Sequence, residues 1–129
     1  MKVLLLNGSP RKEGCTFTAL SEVAKTLNHN GIDTEIFQAG NPDTDNVKAA
    51  AAKLKEADAL IVGSPVYWAS PSGQIIEFMD KLCSMAGKDM LHKPAAAVAS
   101  ARRAGTTATL DVLQKYFSYH ETVSYTHLT

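Results

Sequence analysis

Apolar runs alternate with amphipathic stretches along the whole chain, the pattern of βαβ units that build a parallel sheet covered by helices on both faces. Lys2 to Leu6 is a continuous β-type run. After the polar stretch Asn7 to Gly14, the apolar positions Phe17, Leu20, Val23, Ala24 and Leu27 fall at helical spacing, and Asn30-Gly31 stops that helix. Ile32 to Phe37 alternates apolar and polar residues as a half-buried edge strand does, before the turn-forming Gly40-Asn41-Pro42-Asp43. Asp45 or a neighbour caps a helix over the alanine-rich Val47 to Leu54. Ala57 to Val62, the most apolar run, is predicted to be a central strand buried on both faces.

Ser70-Pro71 places a capping hydroxyl before a proline at a helix start, and Ile75, Ile76, Phe78, Met79 and Leu82 then trace a buried stripe. Cys83 shares that apolar face, whereas Glu77, Asp80 and Lys81 read as its solvated side. Pro94 to Ser100 is the fourth strand, and Thr106 to Phe117 the fourth helix, with Leu110, Leu113 and Phe117 inward. The expected fold class is therefore α/β, a three-layer, doubly wound parallel sheet.

At 129 residues the chain fits one domain spanning 1–129. No apolar run approaches the roughly 18 residues of a membrane span. The N-terminal apolar run ends in a turn rather than a cleavage site, so it reads as a strand and not a signal peptide. Thirteen basic side chains balance thirteen acidic ones, which removes the long-range attraction to nucleic acid or anionic membrane and makes any anion site local. Two cysteines, Cys15 and Cys83, supply neither a disulfide framework nor the four thiolates of an iron–sulfur cluster, and a reducing cytoplasm is the expected compartment. His29, His92, His120 and His127 lack metal-ligand spacing.

Three polar loops follow the first, third and fourth strands, and in an open parallel sheet all three emerge at the carboxyl edge, where ligands bind. The first, Asn7 to Thr16, joins glycines, the hydroxyls of Ser9 and Thr16, Arg11 and a helix N-terminus, which together form a phosphate cradle. It has neither the Gly-Lys-Ser/Thr end of a nucleotide triphosphate loop nor the G-x-G-x-x-G of a dinucleotide loop. A hydroxyl-rich loop opening a helix fits the monoester phosphate of flavin mononucleotide (FMN), and a ligand-free turn and cap is the alternative use of it. Cys15 at that helix start is either a thiol activated by the helix N-terminus or, as a lone cysteine beside a bound anion, an inert one, and the second reading is favoured.

The second loop, Gly63 to Gly73, carries Pro65, Val66, Tyr67 and Trp68. Its aromatics can cover a flavin ring, and Trp68 can equally serve packing or a subunit contact. The third, Ser100 to Thr107, includes Arg102, Arg103, Gly105 and Thr106, able to bond a flavin or a pyridine-nucleotide phosphate; solvated surface arginines are the alternative.

Asn7-Gly8-Ser9-Pro10-Arg11 with Gly14-x-Thr16, then Gly63-Ser64-Pro65-Val66-Tyr67-Trp68, then Ser100-Ala101-Arg102-Arg103-Ala104-Gly105-Thr106-Thr107, resemble the NADPH-dependent FMN reductases of the flavodoxin-like superfamily. The resemblance runs from Met1 to about Tyr119. It implies strand order 2-1-3-4 with a fifth strand missing or incomplete, and FMN at the carboxyl edge with its phosphate on the first loop and its ring near the second. The site residues it implies are Ser9, Arg11, Cys15, Thr16, Pro65, Val66, Tyr67, Trp68, Ser100, Arg102, Arg103, Gly105 and Thr106.

NAD(P)H is the implied donor, and a quinone, nitro compound or second flavin the small acceptor. A homodimer is also implied, with Tyr67 and Trp68 as candidate contacts. Many relatives carry Asn-Thr where this chain has Cys15-Thr16, so one side-chain bond to the phosphate is expected to be lost here or replaced by a backbone amide. Family members continue through a fifth strand and helix, which makes 121–129 an atypical tail in which Val123 to Tyr125 can pair as a short edge strand. The rival expectation is a flavodoxin-type electron carrier that does not turn over NAD(P)H; the neutral charge balance and the Arg102-Arg103 pair favour the reductase.

Overall fold

The computed structural model describes residues 1–120 and 123–124. Five strands alternate with four helices, and a sixth, β4, is a two-residue addition to β3, in the order β1 (Lys2–Asn7), α1 (Cys15–His29), β2 (Asp33–Gln38), α2 (Thr44–Glu56), β3 (Ala59–Tyr67), β4 (Ser70–Pro71), α3 (Gly73–Ala86), β5 (Pro94–Ser100), α4 (Thr106–Tyr119) and β6 (Val123–Ser124). The sheet runs β2-β1-β3-β5-β6, all parallel, and β4 pairs antiparallel with β3 outside that order. The chain order reverses between β1 and β3, so the crevice above their carboxyl ends is a topological switch point.

Successive side chains of a strand point to opposite faces, and β1 divides its leucines on that rule. Val3 and Leu5 join Leu20 and Ala24 of α1 in one core layer. Leu4 and Leu6 join Val47 and Leu54 of α2, Ile75, Phe78 and Leu82 of α3, and Leu113 and Phe117 of α4 in the other. A strand buried on both faces is thus placed where the first loop must leave it, giving that loop a rigid base.

The structure corrects several local expectations. β3 continues through Gly63, Ser64, Pro65 and Val66 to Tyr67, residues read as loop from their small and turn-forming types. Parallel pairing with β5, in which Pro65 faces Ser100, carries the strand past its apolar segment. Ser70 and Pro71 are not the start of α3: they fold back on Tyr67 and Val66 as β4, and Ser72 takes the cap position, its Oγ accepting the Ile75 N–H at 3.1 Å. The α2 cap is Asp43, two residues earlier than Asp45, and no side-chain bond accompanies it.

Of the α4 positions expected inward, Leu113 and Phe117 are buried and Leu110 is half-buried, with Thr109 taking its place. Asp80 and Lys81 are engaged rather than merely solvated: Asp80 Oδ1 accepts from the Tyr116 hydroxyl at 2.5 Å, and Lys81 donates to the Pro42 carbonyl at 2.8 Å. The fifth parallel strand is present as Val123–Ser124, beside Pro94 and Ala95. Tyr125 and His127 lie outside the described residues. Among the described residues no helix is long and apolar enough to cross a membrane.

Candidate functional site

The first loop is held by the side chain that ends β1. Asn7 is 1% exposed; its Oδ1 accepts the Ser9 N–H at 3.1 Å, and its Nδ2 donates to the Lys12 carbonyl at 3.1 Å and to Gln38 Oε1 at 3.0 Å. Gln38 at the end of β2 closes the ring by donating to the Ser9 carbonyl at 2.8 Å. Gly8 then bonds β3 directly, N–H to the Gly63 carbonyl at 2.8 Å, and Ser72 Oγ donates to the Gly8 carbonyl at 2.6 Å. Buried polar groups satisfied in this way specify one loop conformation. Three strands and one helix cap are therefore tied to residues 7–9 before any ligand is considered.

From that base the loop rises to α1, whose cap is Gly14 with no side-chain bond. The first intrahelical bond is Thr18 N–H to the Gly14 carbonyl at 3.0 Å, so the N–H groups of Cys15, Thr16 and Phe17 precede the ladder. The hydroxyls beside them are buried, Ser9 4% exposed and Thr16 1%. Ser9 Oγ accepts from the Arg11 N–H at 3.1 Å, which leaves the hydroxyl proton for another acceptor. Thr16 Oγ1 and Ser100 Oγ lie 2.9 Å apart and share one proton in their mutual bond, leaving the second to donate elsewhere. Uncapped amides, hydroxyl protons and the positive end of a helix converge on one spot, the arrangement that binds phosphate.

That spot is the floor of a cleft of about 590 Å³ at the carboxyl edge, with walls from all three loops. It brings together Ser9, Arg11, Cys15, Thr16, Pro65, Val66, Tyr67, Ser100 and Arg102, with Gly14 and Ala101 added. Trp68, Arg103, Gly105 and Thr106 stand outside it. Trp68 forms the tip of the β3–β4 hairpin and is 100% exposed, and Arg103 is exposed on the next loop. Gly105 caps α4 in the left-handed region at φ 98°, and Thr106 is the first residue of that helix. A Cβ at Gly105 would lie 2.7 Å from Ala69 Cα and 2.9 Å from Val66 Cγ1, so the third loop is packed hard against the hairpin.

The residues missed by sequence reasoning, Asn7, Gln38, Ser64 and Ser72, touch nothing in the cleft and act by holding its floor. Asn7 and Gln38 each end a strand, which was a usable signal; the bond of Ser64 Oγ to the Ser72 N–H at 3.0 Å had none.

The two thiols differ in kind. Cys15 is exposed at the cleft. Cys83 is half-buried beside Met90, and burial first, then the Asp80 carboxylate, push its thiol up to about 12. Iodoacetamide at pH 8 is expected to label Cys15 and leave Cys83 unmodified in the native protein, as read by peptide mass spectrometry. Among the described residues no group of three His, Cys, Asp or Glu side chains is placed to hold a metal ion.

A family model described as NADPH-dependent FMN reductase matches residues 1–128. An iron–sulfur flavoprotein of Methanocaldococcus jannaschii is 30% identical over 144 aligned positions, covering 95% of this chain and 75% of its own length. An NADPH azoreductase of a Bacillus species is 29% identical, covering 84% of this chain and 64% of that protein. The chain spans between 48% and 75% of the length of the curated relatives it matches. Among solved structures, a flavodoxin from the domain Archaea superposes with a TM-score of 0.78 at 17% identity, over 98% of this chain and 80% of that one, a likeness of fold.

Proposed function

Because the chain belongs to the NADPH-dependent FMN reductase family, we propose that its cleft holds FMN and that the protein passes electrons from NAD(P)H through that flavin to a small acceptor. The observation that carries this reading is the floor of the cleft, where the uncapped first turn of α1 meets the buried hydroxyls of Ser9 and Thr16. Those groups and Arg11 would hold the phosphate dianion, since amides, hydroxyl protons and a guanidinium all favour it. The ring would lie between Pro65–Tyr67 and Ser100–Arg102, with Tyr67, 44% exposed, free to cover one flat face.

Bound FMN supplies the electron relay between a two-electron donor and its acceptor. The chain's own part is to bind, orient and balance charge. The cleft wall would fix the ring, and Arg102 would supply a cation beside it that favours added negative charge. This work needs no protein nucleophile or paired carboxylates. A small electron-poor acceptor, such as a quinone, nitro compound or second flavin, can reach a cleft that opens at the sheet edge. A reducing cytoplasm fits the free thiols of Cys15 and Cys83.

The test is anaerobic. Protein loaded with FMN and freed of excess is mixed with NADPH while the visible flavin band is followed. The reading predicts retention of the band and its bleaching by NADPH; a band that resists NADPH and NADH but bleaches with dithionite identifies an electron carrier instead. The same loading is expected to slow iodoacetamide labelling of Cys15, because that side chain lines the cleft.

A further inference from the structure

The last rung of the β1–β2 pairing sets Asn7 beside Gln38. The alternation that turns Val3, Leu5 and Ile36 toward α1 turns these two side chains to the same face, beneath the loop that climbs to the first turn of α1.

Each amide is held in one orientation. The Lys12 and Ser9 carbonyls need donors and the Ser9 N–H needs an acceptor, so Asn7 gives Nδ2 to Lys12 and Oδ1 to Ser9, both at 3.1 Å. Asn7 Nδ2 also donates to Gln38 Oε1 at 3.0 Å, which directs Gln38 Nε2 to the Ser9 carbonyl at 2.8 Å. Both backbone groups of Ser9 are thus bound by side chains from two neighbouring strand ends. What Ser9 has left is its hydroxyl, which accepts the Arg11 N–H and keeps its proton for the cleft that it lines.

The arm that reaches Ser9 is anchored at its base as well. The Gln38 carbonyl accepts from Asn46 Nδ2 at 2.9 Å, and Asn46 ties the same amide to the Asn41 carbonyl at 2.7 Å. Gly40 closes over the other side of the Ser9 carbonyl: a Cβ there would run into that carbonyl and lie 2.8 Å from Gln38 Nε2.

We propose that Gln38 is the positioning residue that makes this site select phosphorylated flavin: by fixing the Ser9 peptide it aims the Ser9 hydroxyl proton at the phosphate monoester, without touching the ligand. This rests on the FMN reading of the cleft. The residue type is what the role requires, since one arm must carry an acceptor for Asn7 and a donor for Ser9. Methionine has the length and neither group, and glutamate has acceptors alone when ionised. Without that donor the Ser9 peptide loses its fixed orientation and the hydroxyl its aim, while the ring walls at Pro65–Tyr67 and Ser100–Arg102 keep their place.

A positioning role and a merely structural one part at riboflavin, which has the ring and no phosphate. General loosening of the cleft weakens both flavins; a misdirected Ser9 hydroxyl weakens FMN alone. Quenching of flavin fluorescence gives both affinities for the parent, Gln38→Met and Gln38→Glu. Thr34→Val is the control, removing a β2 side-chain bond, Thr34 Oγ1 to Asn28 Oδ1, away from the loop. Inorganic phosphate is titrated into flavin-free protein as a third probe, followed at the Thr16 amide by NMR. FMN is expected to bind about tenfold more weakly to both Gln38 variants, inorganic phosphate to follow it, riboflavin to change less than about twofold, and Thr34→Val to match the parent throughout.

Equal losses for FMN and riboflavin, or an FMN affinity for Gln38→Met within about twofold of the parent, overturn the proposal. If neither Gln38 variant folds, the parent decides: its Gln38 side-chain amide signals are expected to shift as inorganic phosphate binds, and unmoved signals overturn the role. A parent that binds neither flavin overturns the FMN reading instead. Inorganic phosphate then judges Gln38 on its own, and equal binding to parent and Gln38→Met, or none to either, ends the proposal.

Discussion

Replacing Gly8 with alanine is expected to lower the free energy of unfolding by about 3 kcal/mol. A Cβ at this position would lie 2.6 Å from the Gly63 carbonyl oxygen, 2.7 Å from Ile75 Cβ and 2.8 Å from Ile75 Cγ1. Neither side can yield cheaply. The Gly63 carbonyl is the acceptor for Gly8 N–H, and Ile75, 0% exposed, is fixed by the cap bond to Ser72 and by the core around α3. Relief would need β1 and β3 to part at their carboxyl ends, where the cleft floor is built.

Thermal unfolding should show a fall in midpoint of about 10 °C for a domain of this size. Gly73→Ala is the control, because nothing lies within 4 Å of its would-be Cβ; that variant is expected within about 0.5 kcal/mol of the parent. A Gly8→Ala protein as stable as the parent would mean that the first loop is not tied to β3 as described.

Thr16→Val is expected to weaken FMN binding about tenfold to a hundredfold while leaving riboflavin binding little changed. Valine keeps the branched shape that fits this buried position in the first turn of α1, so the fold should survive. What goes is the hydroxyl, and with it the 2.9 Å bond to Ser100 Oγ and the proton that the pair keeps for a ligand. Riboflavin lacks the phosphate and therefore reports on the ring contacts alone. Flavin fluorescence quenching measures both ligands on both proteins. Equal losses for FMN and riboflavin would place Thr16 under the ring rather than the phosphate.

Much of this architecture is legible in the sequence because burial on two faces leaves a mark that a single chain can carry. The apolar runs at Leu4–Leu6 and Leu60–Val62 found their strands, and the stripe Ile75, Phe78, Met79 and Leu82 found α3. Its boundaries were harder. Ser70-Pro71 is a fair local signal for a helix start, but the proline is consumed by pairing with Val66, a contact set by the hairpin and not by the residues alongside. Gly63 to Tyr67 reads as loop by composition, yet it is held extended by β5.

The candidate site divides in the same way. Many residues that line the cleft are polar or aromatic and can be picked out one by one from the sequence, as Ser9, Thr16, Tyr67 and Arg102 are. The groups that hold the floor are satisfied by partners far along the chain, such as Gln38 to Ser9 and Ser72 to Gly8: a strand end marks Asn7 and Gln38, and no local pattern announces Ser64 and Ser72. The sequence also does not separate Arg102 from Arg103. Of these adjacent residues of one type, Arg102 lines the cleft and Arg103 does not, in a loop that ends at left-handed Gly105.

The central claim is that FMN lies in this cleft with its phosphate on the first turn of α1. Amide NMR of the protein, at 13.8 kDa well within reach, tests it most directly during an FMN titration. The account predicts that the largest shifts fall on Cys15, Thr16 and Phe17, with others on Val66, Tyr67 and Ser100 to Arg102, while Thr44, Ser84 and Met85 on the outer face of α2 and α3 stay in place. Shifts centred on that outer face, or no saturable shifts at all, would contradict it.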